Sequence, residues 1–339
     1  MEYELYKEKF TSKAHRSGLT KQEIEECLSY ARPLLDKNLP LIYNTSHFSR
    51  LVGIRKIYIK RASIYTKSYY RKFLIAKRQG NPREISEPLP NLKHIQTYIL
   101  TEILQHVKIS AFAKAYKKKA NILENTRYHV NQEKVVTLDI KNFFPSITFK
   151  AIENIFFKLG YSPILSNLFA KLCTLNGCLP QGSPTSPYLS NIFMYDFDSK
   201  LADFCLERKI RYTRYADDIA ISGDFDEKEA IDYITDLLKG LDLELNPSKT
   251  KIMCQNQRQI VTGIVVNKKN QIPRKERLKL RQEVFHIRTK GLKAHIKHKG
   301  ITKRNYLYHL YGKISYAVFI NPYDKEFIEY KRLIKSLMK

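Results

Sequence analysis

The chain has 339 residues, 43% of them hydrophobic, enough for a folded core and two or three compact subdomains. Lys and Arg number 60 against 33 Asp and Glu, a formal charge of +27. That excess calls for a polyanionic partner, with nucleic acid ahead of an anionic membrane surface. No apolar run approaches the roughly 18 residues of a spanning helix, and Met1 to Lys7 lack the apolar stretch of a signal peptide. Cys27, Cys173, Cys178, Cys205 and Cys254 match no zinc-ligand spacing. Scattered thiols in odd number suit a reducing cytoplasm.

Along the chain, Thr20-Lys-Gln-Glu23 is a capping box that predicts a helix running toward Pro33. Residues 41–80 are basic and Tyr-rich, and Gly80-Asn81-Pro82 predicts a turn into a second hairpin arm from Arg83. Residues 92–107 have helical apolar spacing. A strand is expected before Asp139, then helices at about 148–158, 164–175 and 187–206. A hairpin at 210–222 and a helix at 226–239 follow, then strands near 242–245, 251–253 and 260–266. From Pro273 the chain reads as helical. Residues 274–304 hold twelve Lys and Arg against Glu276 and Glu283, which reads as a solvated face or a phosphate-tracking one.

The most informative stretch is Tyr215-Ala-Asp-Asp218, lying between the apolar runs Ile210–Tyr215 and Ile219–Ser222. The pattern predicts a tight hairpin with two acids at its tip. Asp139 ends the run Lys134–Leu138, so a third acid belongs at a neighbouring strand end. Adjacent carboxylates repel unless a cation compensates them, and a hard divalent ion such as Mg²⁺ suits oxygen ligands. Such a trio fits two-metal phosphoryl transfer. A bare Asp-Asp pair reads first as a polar turn; its surroundings change that reading.

Four elements stand in fixed order: Asp139-Ile-Lys-Asn-Phe-Phe-Pro-Ser-Ile147, Leu179-Pro-Gln-Gly-Ser-Pro-Thr-Ser-Pro187, Tyr215-Ala-Asp-Asp218 and Leu245-Asn-Pro-Ser-Lys-Thr-Lys251. Together, across roughly residues 70–270, they resemble the palm of reverse transcriptases. The resemblance implies an α+β right-hand polymerase: an N-terminal helical and basic region at 1–68, fingers at 69–134, an antiparallel-sheet palm at 135–259 and a helical basic thumb at 260–339. It implies two Mg²⁺ ions held by Asp139 and Asp217, with Asp218 assisting and the Ile140 carbonyl in contact. It makes Phe144 the ring that rejects a ribose 2′-OH, with core packing beside Phe143 as the alternative. Gln181 and Gly182 line the nucleotide pocket, and Lys77 and Arg83 grip the triphosphate of a dNTP. Lys249 protonates the leaving pyrophosphate, with Lys251 as rival.

Three further segments resemble retron reverse transcriptases in particular. Val261-Thr262-Gly263 matches an element that engages a structured RNA. Asn125-Thr-Arg-Tyr-His129 matches a retron Asn-Ala-x-x-His with Thr126 in place of Ala; outside the resemblance, Asn125 and His129 read as a loop cap and a surface histidine. Leu92-Lys-His-Ile-Gln96 matches a finger helix. With Asn125, His129 and the Val-Thr-Gly element, Arg277, Lys279 and Arg281 are the expected RNA contacts. On the same resemblance, neither an RNase H domain nor a fused nuclease is expected. The resemblance implies a cognate non-coding RNA, a branched RNA–DNA product (msDNA), a host RNase H to remove template, and a separate effector protein in anti-phage defence. A cytoplasmic location with no membrane partner is expected. A group II intron-type or other bacterial reverse transcriptase is one alternative; a catalytically silent nucleic-acid scaffold is the other.

Overall fold

The computed structural model describes residues 3–76, 82–302 and 304–338. It divides into two compact units, each assembled from three stretches of chain.

The first unit comprises Met1–Lys118, Ile140–Leu201 and Thr235–Leu245. Thr20 caps the helix Lys21–Asp36 through a full capping box with Glu23, as the sequence predicts, but the helix continues through Pro33. Its apolar face, Ile24 and Leu28, packs on Ala14 of the helix Tyr3–Arg16. Phe169, on the helix Pro163–Cys173, gathers Phe48, Phe156 and Tyr161 within 5.0–5.3 Å between ring centres. A hairpin of β1 (Tyr70–Ile75) and β2 (Arg83–Pro88) runs antiparallel, with Ile75 opposite Arg83; the turn residues 77–81 lie outside the described residues.

Two expected helices are interrupted in this region of the chain. The run from residue 92 is α-helical only over Pro90–Tyr98, then widens into a π turn, Ile99–Ile103, and tightens into a 3₁₀ turn, Leu104–His106. The segment 187–206 is two helices, Ser186–Phe193 and Tyr195–Glu207, parted at Met194. No strand forms at 242–245. Leu245 makes one isolated bridge to Ile140, and Pro247, lacking an N–H, turns the chain into a 3₁₀ turn instead.

The second unit comprises Lys119–Asp139, Ala202–Ile234 and Asn246–Lys339. Its sheet contains β3 (Lys134–Asp139), β4 (Arg211–Tyr215), β5 (Asp218–Gly223) and β6 (Lys251–Cys254), ordered β4-β5-β3-β6 and antiparallel throughout. The expected strand at 260–266 is a tight hairpin, β7 (Ile260–Val261) and β8 (Ile264–Val265). Val135, Ala220, Met253, Val261 and Val266 form the core beneath them. After Pro273 four helices follow: Arg274–Lys290, Leu292–His298, Tyr306–Ile320 and Lys325–Ser336. They close on Leu280, Val284, Ile287, Ile314, Phe327 and Ile334. Among the described residues no helix is long and apolar enough to cross a membrane.

Candidate active site

Asp139 is the last residue of β3 and Asp218 the first of β5, and the register sets them directly opposite each other. Across the neighbouring ladder Tyr215 pairs with Asp218, so Ala216 and Asp217 alone form the turn. Ala216 adopts φ 61, a left-handed conformation that costs a residue with a Cβ about 1–2 kcal/mol. The compensation is Arg214, the largest fully buried side chain among the described residues, whose guanidinium donates to the Ala216 carbonyl at 2.9 Å. Sequence reasoning passes over Arg214; its only signal is an arginine inside an apolar strand, one residue before the motif.

Burial, then the charges of Asp217 and Asp139, push the Asp218 carboxyl up to about 6, while Lys249 and Lys251 pull the other way. Lys249 Nζ donates to both Asp139 oxygens, at 2.9 and 2.7 Å. The turn Pro247–Lys249 delivers it, anchored by the Asn246 N–H on the Asp139 carbonyl at 2.8 Å. Lys251 is exposed on β6, in register with Thr137. Among the described residues no three acidic, histidine or cysteine side chains already surround one point. The donor set still fits a hard divalent cation: it offers carboxylate oxygens alone, and Asp218 carries the like-charge repulsion that such a cation relieves.

In the first unit, Ile140 is buried and bridged to Leu245. Phe143 is core, while Phe144 is half-buried, 5.5 Å from Phe143 and 6.2 Å from Tyr116 between ring centres. The Gln181 carbonyl accepts the Ser86 N–H at 2.7 Å. Gly182 sits at φ 118, where a Cβ would lie 2.7 Å from the Ser86 oxygen, so the close approach of β2 alone already demands glycine. Gln96 ties the same loop down: it donates to Tyr70 and to the Leu172 carbonyl, both at 2.7 Å, and accepts from Ser183 at 2.9 Å. Arg83 is exposed at the start of β2; Lys77 lies outside the described residues.

The expected RNA contacts separate into buried and surface groups. His129 is not a surface histidine. It is fully buried, its ring nitrogens engaging Ser222 and Thr213 hydroxyls at 2.7 Å each, and burial followed by Arg211 holds its pKa down to about 3. It therefore braces β4 and β5 as a neutral ring, and its side chain offers nothing to a ligand. Asn125 is buried as well, with its amide donating to the Thr262 hydroxyl at 3.3 Å. Val261 belongs to the core. Thr262 and Gly263, at φ 46 and 84, are the turn between β7 and β8 and the part that reaches the surface. Arg277 pairs with Asp324 and Glu326, and Arg281 grips Glu326 at 2.6 and 2.9 Å. Those two arginines knit the helix Arg274–Lys290 to the helix Lys325–Ser336; Lys279, between them in sequence only, is exposed.

Residues 75–286 match the family model described as reverse transcriptase (RNA-dependent DNA polymerase). The retron Ec86 reverse transcriptase of Escherichia coli is 30% identical over 90% of this chain and 92% of that protein. The Ec83 enzyme of the same organism is 30% identical over 80% and 90%, and the Mx65 enzyme of Myxococcus xanthus 29% over 78% and 64%. With more than half its length inside the family's signature and a retron enzyme 30% identical over 90% of it, the chain belongs to the retron reverse transcriptases and is an RNA-directed DNA polymerase.

Proposed function

We propose that this polymerase binds a structured non-coding RNA of its own, primes from an internal guanosine 2′-OH, and copies part of that RNA into DNA. The product is msDNA, RNA and DNA joined through a 2′,5′ linkage. A host RNase H removes the template, and the product works in the cytoplasm with a separate effector protein in anti-phage defence. The observation that carries the reading is the Asp139–Asp218 register beside the Asp217 turn, in a chain so similar to retron enzymes over nearly all its length.

In this reading residues 69–134 are fingers, 135–259 palm and 260–339 thumb, with 1–68 preceding them. Asp139, Asp217 and Asp218, with the Ile140 carbonyl, hold two Mg²⁺ ions. When bound, the ions neutralise the phosphoryl oxygens and lower the pKa of the attacking hydroxyl. The primer hydroxyl gives up its proton to water as its oxygen bonds to the dNTP α-phosphorus, the bond from that phosphorus to the α–β bridging oxygen breaks, and pyrophosphate leaves, taking a proton of its own. Lys249 donates that proton once its ammonium has let go of Asp139; Lys251 is the other donor within reach of the site's charge. Lys77 and Arg83 grip the triphosphate, and Gln181 and Gly182 shape the pocket. Phe144 walls off the 2′ position, so Phe144→Ala should raise ribonucleotide over deoxyribonucleotide incorporation; an unchanged ratio would return the ring to the core. Thr262 and Gly263 meet the RNA, with Asn125, His129 and Val261 holding them or the strands beside them, and the helix carrying Arg277, Lys279 and Arg281 supports the bound strand.

The test is purification from a host carrying the RNA gene adjacent to this one. The proposal expects co-purified DNA that shifts on debranching enzyme treatment. Linear DNA grown from an ordinary 3′ end would contradict it.

A further inference from the structure

From Lys37 to Arg83 the chain holds twelve Lys and Arg and no Asp or Glu. Part of this charge is neutralised from β2: Arg71 pairs with Glu87 and Lys72 with Glu84. Arg55, Lys56, Lys60, Arg61 and Lys67 are exposed and form no ion pair among the described residues. The thumb-like helix offers a contrast, since its Arg277, Arg281 and Arg288 all bind carboxylates.

The helix Lys56–Ile64 buries Ile59 and Ala62 and turns a mixed face outward. Ile57, Lys60, Arg61 and Ile64 share that face by their i, i+3, i+4, i+7 spacing. Ile57 is 52% exposed, Ile64 66%, and Tyr65 at the helix end 64%. Cations thus alternate with apolar and aromatic surface that is open among the described residues.

We infer that this face binds an unpaired stretch of RNA. Lys60, Arg61 and their neighbours would hold phosphates, and Tyr65 with the isoleucines would take the faces of bases. Paired RNA hides those base faces, whereas unpaired RNA offers them for stacking. An RNA-directed polymerase must hold RNA, and nine helical residues with two exposed isoleucines make a poor interfacial membrane anchor beside the longer amphipathic helices that serve that purpose. The inference rests on the polymerase's RNA-directed activity and on none of the active-site assignments.

The test uses the full chain with a short unstructured RNA, a hairpin RNA of equal length and phosphatidylglycerol-containing vesicles. Lys60→Ala with Arg61→Ala should weaken unstructured RNA about ten-fold and reduce the log–log salt slope by about 1.4, at about 0.7 per phosphate. Tyr65→Ala should weaken it about ten-fold with the slope unchanged, as expected for one lost stack. The hairpin should lose less in both variants, and extension of a saturating annealed primer should stay at the wild-type rate. Unchanged affinity in both variants would overturn the inference. So would equal losses on the hairpin, binding that passes to the vesicles, or extension that falls in step with binding.

Discussion

The turn Ala216-Asp217 between β4 and β5 and the turn Thr262-Gly263 between β7 and β8 each hold a residue with a Cβ in the left-handed region, at φ 61 and φ 46. Both are two-residue hairpin turns in the same unit. Their bracing differs. A fully buried guanidinium, Arg214, holds the first through a backbone carbonyl, and the acids it carries stay partly sheltered. A side-chain amide, Asn125, holds the second through the Thr262 hydroxyl, and among the described residues no atom beyond Gly263 and its chain neighbours stands within 4 Å of where a Gly263 Cβ would be. In the proposed function, the turn that positions charge for chemistry is thus locked from within, and the turn that meets RNA is tethered and left open on its outer side.

The comparison can be broken by mutation. The largest effect belongs to Asp139→Asn, which removes a proposed Mg²⁺ ligand and releases Lys249: RNA-templated DNA synthesis should fall on the order of 10³-fold or more, with RNA affinity nearly intact in a binding assay. Arg214→Ala comes next. Removing a buried charged donor should cost about 3 kcal/mol or more, seen as a lower Tm, and synthesis should fall even well below the melting transition because the turn relaxes.

Asp218→Asn acts on stability with a sign set by the carboxyl's pKa. The folded value, about 6, lies above the ordinary 3.8, so the folded protein holds this proton more tightly than the unfolded chain does. The associated stability is complete below the unfolded pKa and is lost as pH rises through about 6. In chelator, the Asn variant should therefore be about 1–3 kcal/mol more stable than wild type above pH about 7, the gap closing toward pH about 4. Melting curves across that range check it, and Mg²⁺ should narrow the gap by stabilising only the wild type. The smallest effect belongs to Asn125→Ala, about 1 kcal/mol in stability. Its informative readout is the ratio of branched DNA to ordinary primer extension, which should drop; equal losses in both would make the Thr262 turn part of the general primer path.

The second turn needed its partner to be understood, whereas the first was legible in the sequence. Asp217 and Asp218 between two apolar runs, with Asp139 ending a third, left little choice of register. The Thr20 capping box was legible for the same reason: all its atoms lie within four residues. What escaped depended on partners far along the chain. Gly182 is fixed by Ser86, and His129 is buried by Thr213 and Ser222. Arg277 and Arg281 read as phosphate contacts until Asp324 and Glu326, more than 40 residues on, are placed beside them. The break at Met194 and the π turn at Ile99–Ile103 lie inside unbroken apolar periodicity, which reports a buried face and not the continuity of its hydrogen bonds.

The proposed mechanism places the chemistry at the Ala216-Asp217 turn and its neighbouring strand end. The direct measurement is Mg²⁺-dependent extension of an annealed primer on an RNA template by wild type and Asp217→Asn, side by side, with primer–template affinity measured in parallel. The account predicts that the variant binds like wild type and extends on the order of 10³-fold more slowly or worse. A variant that extends within about ten-fold of wild type at equal occupancy would contradict it.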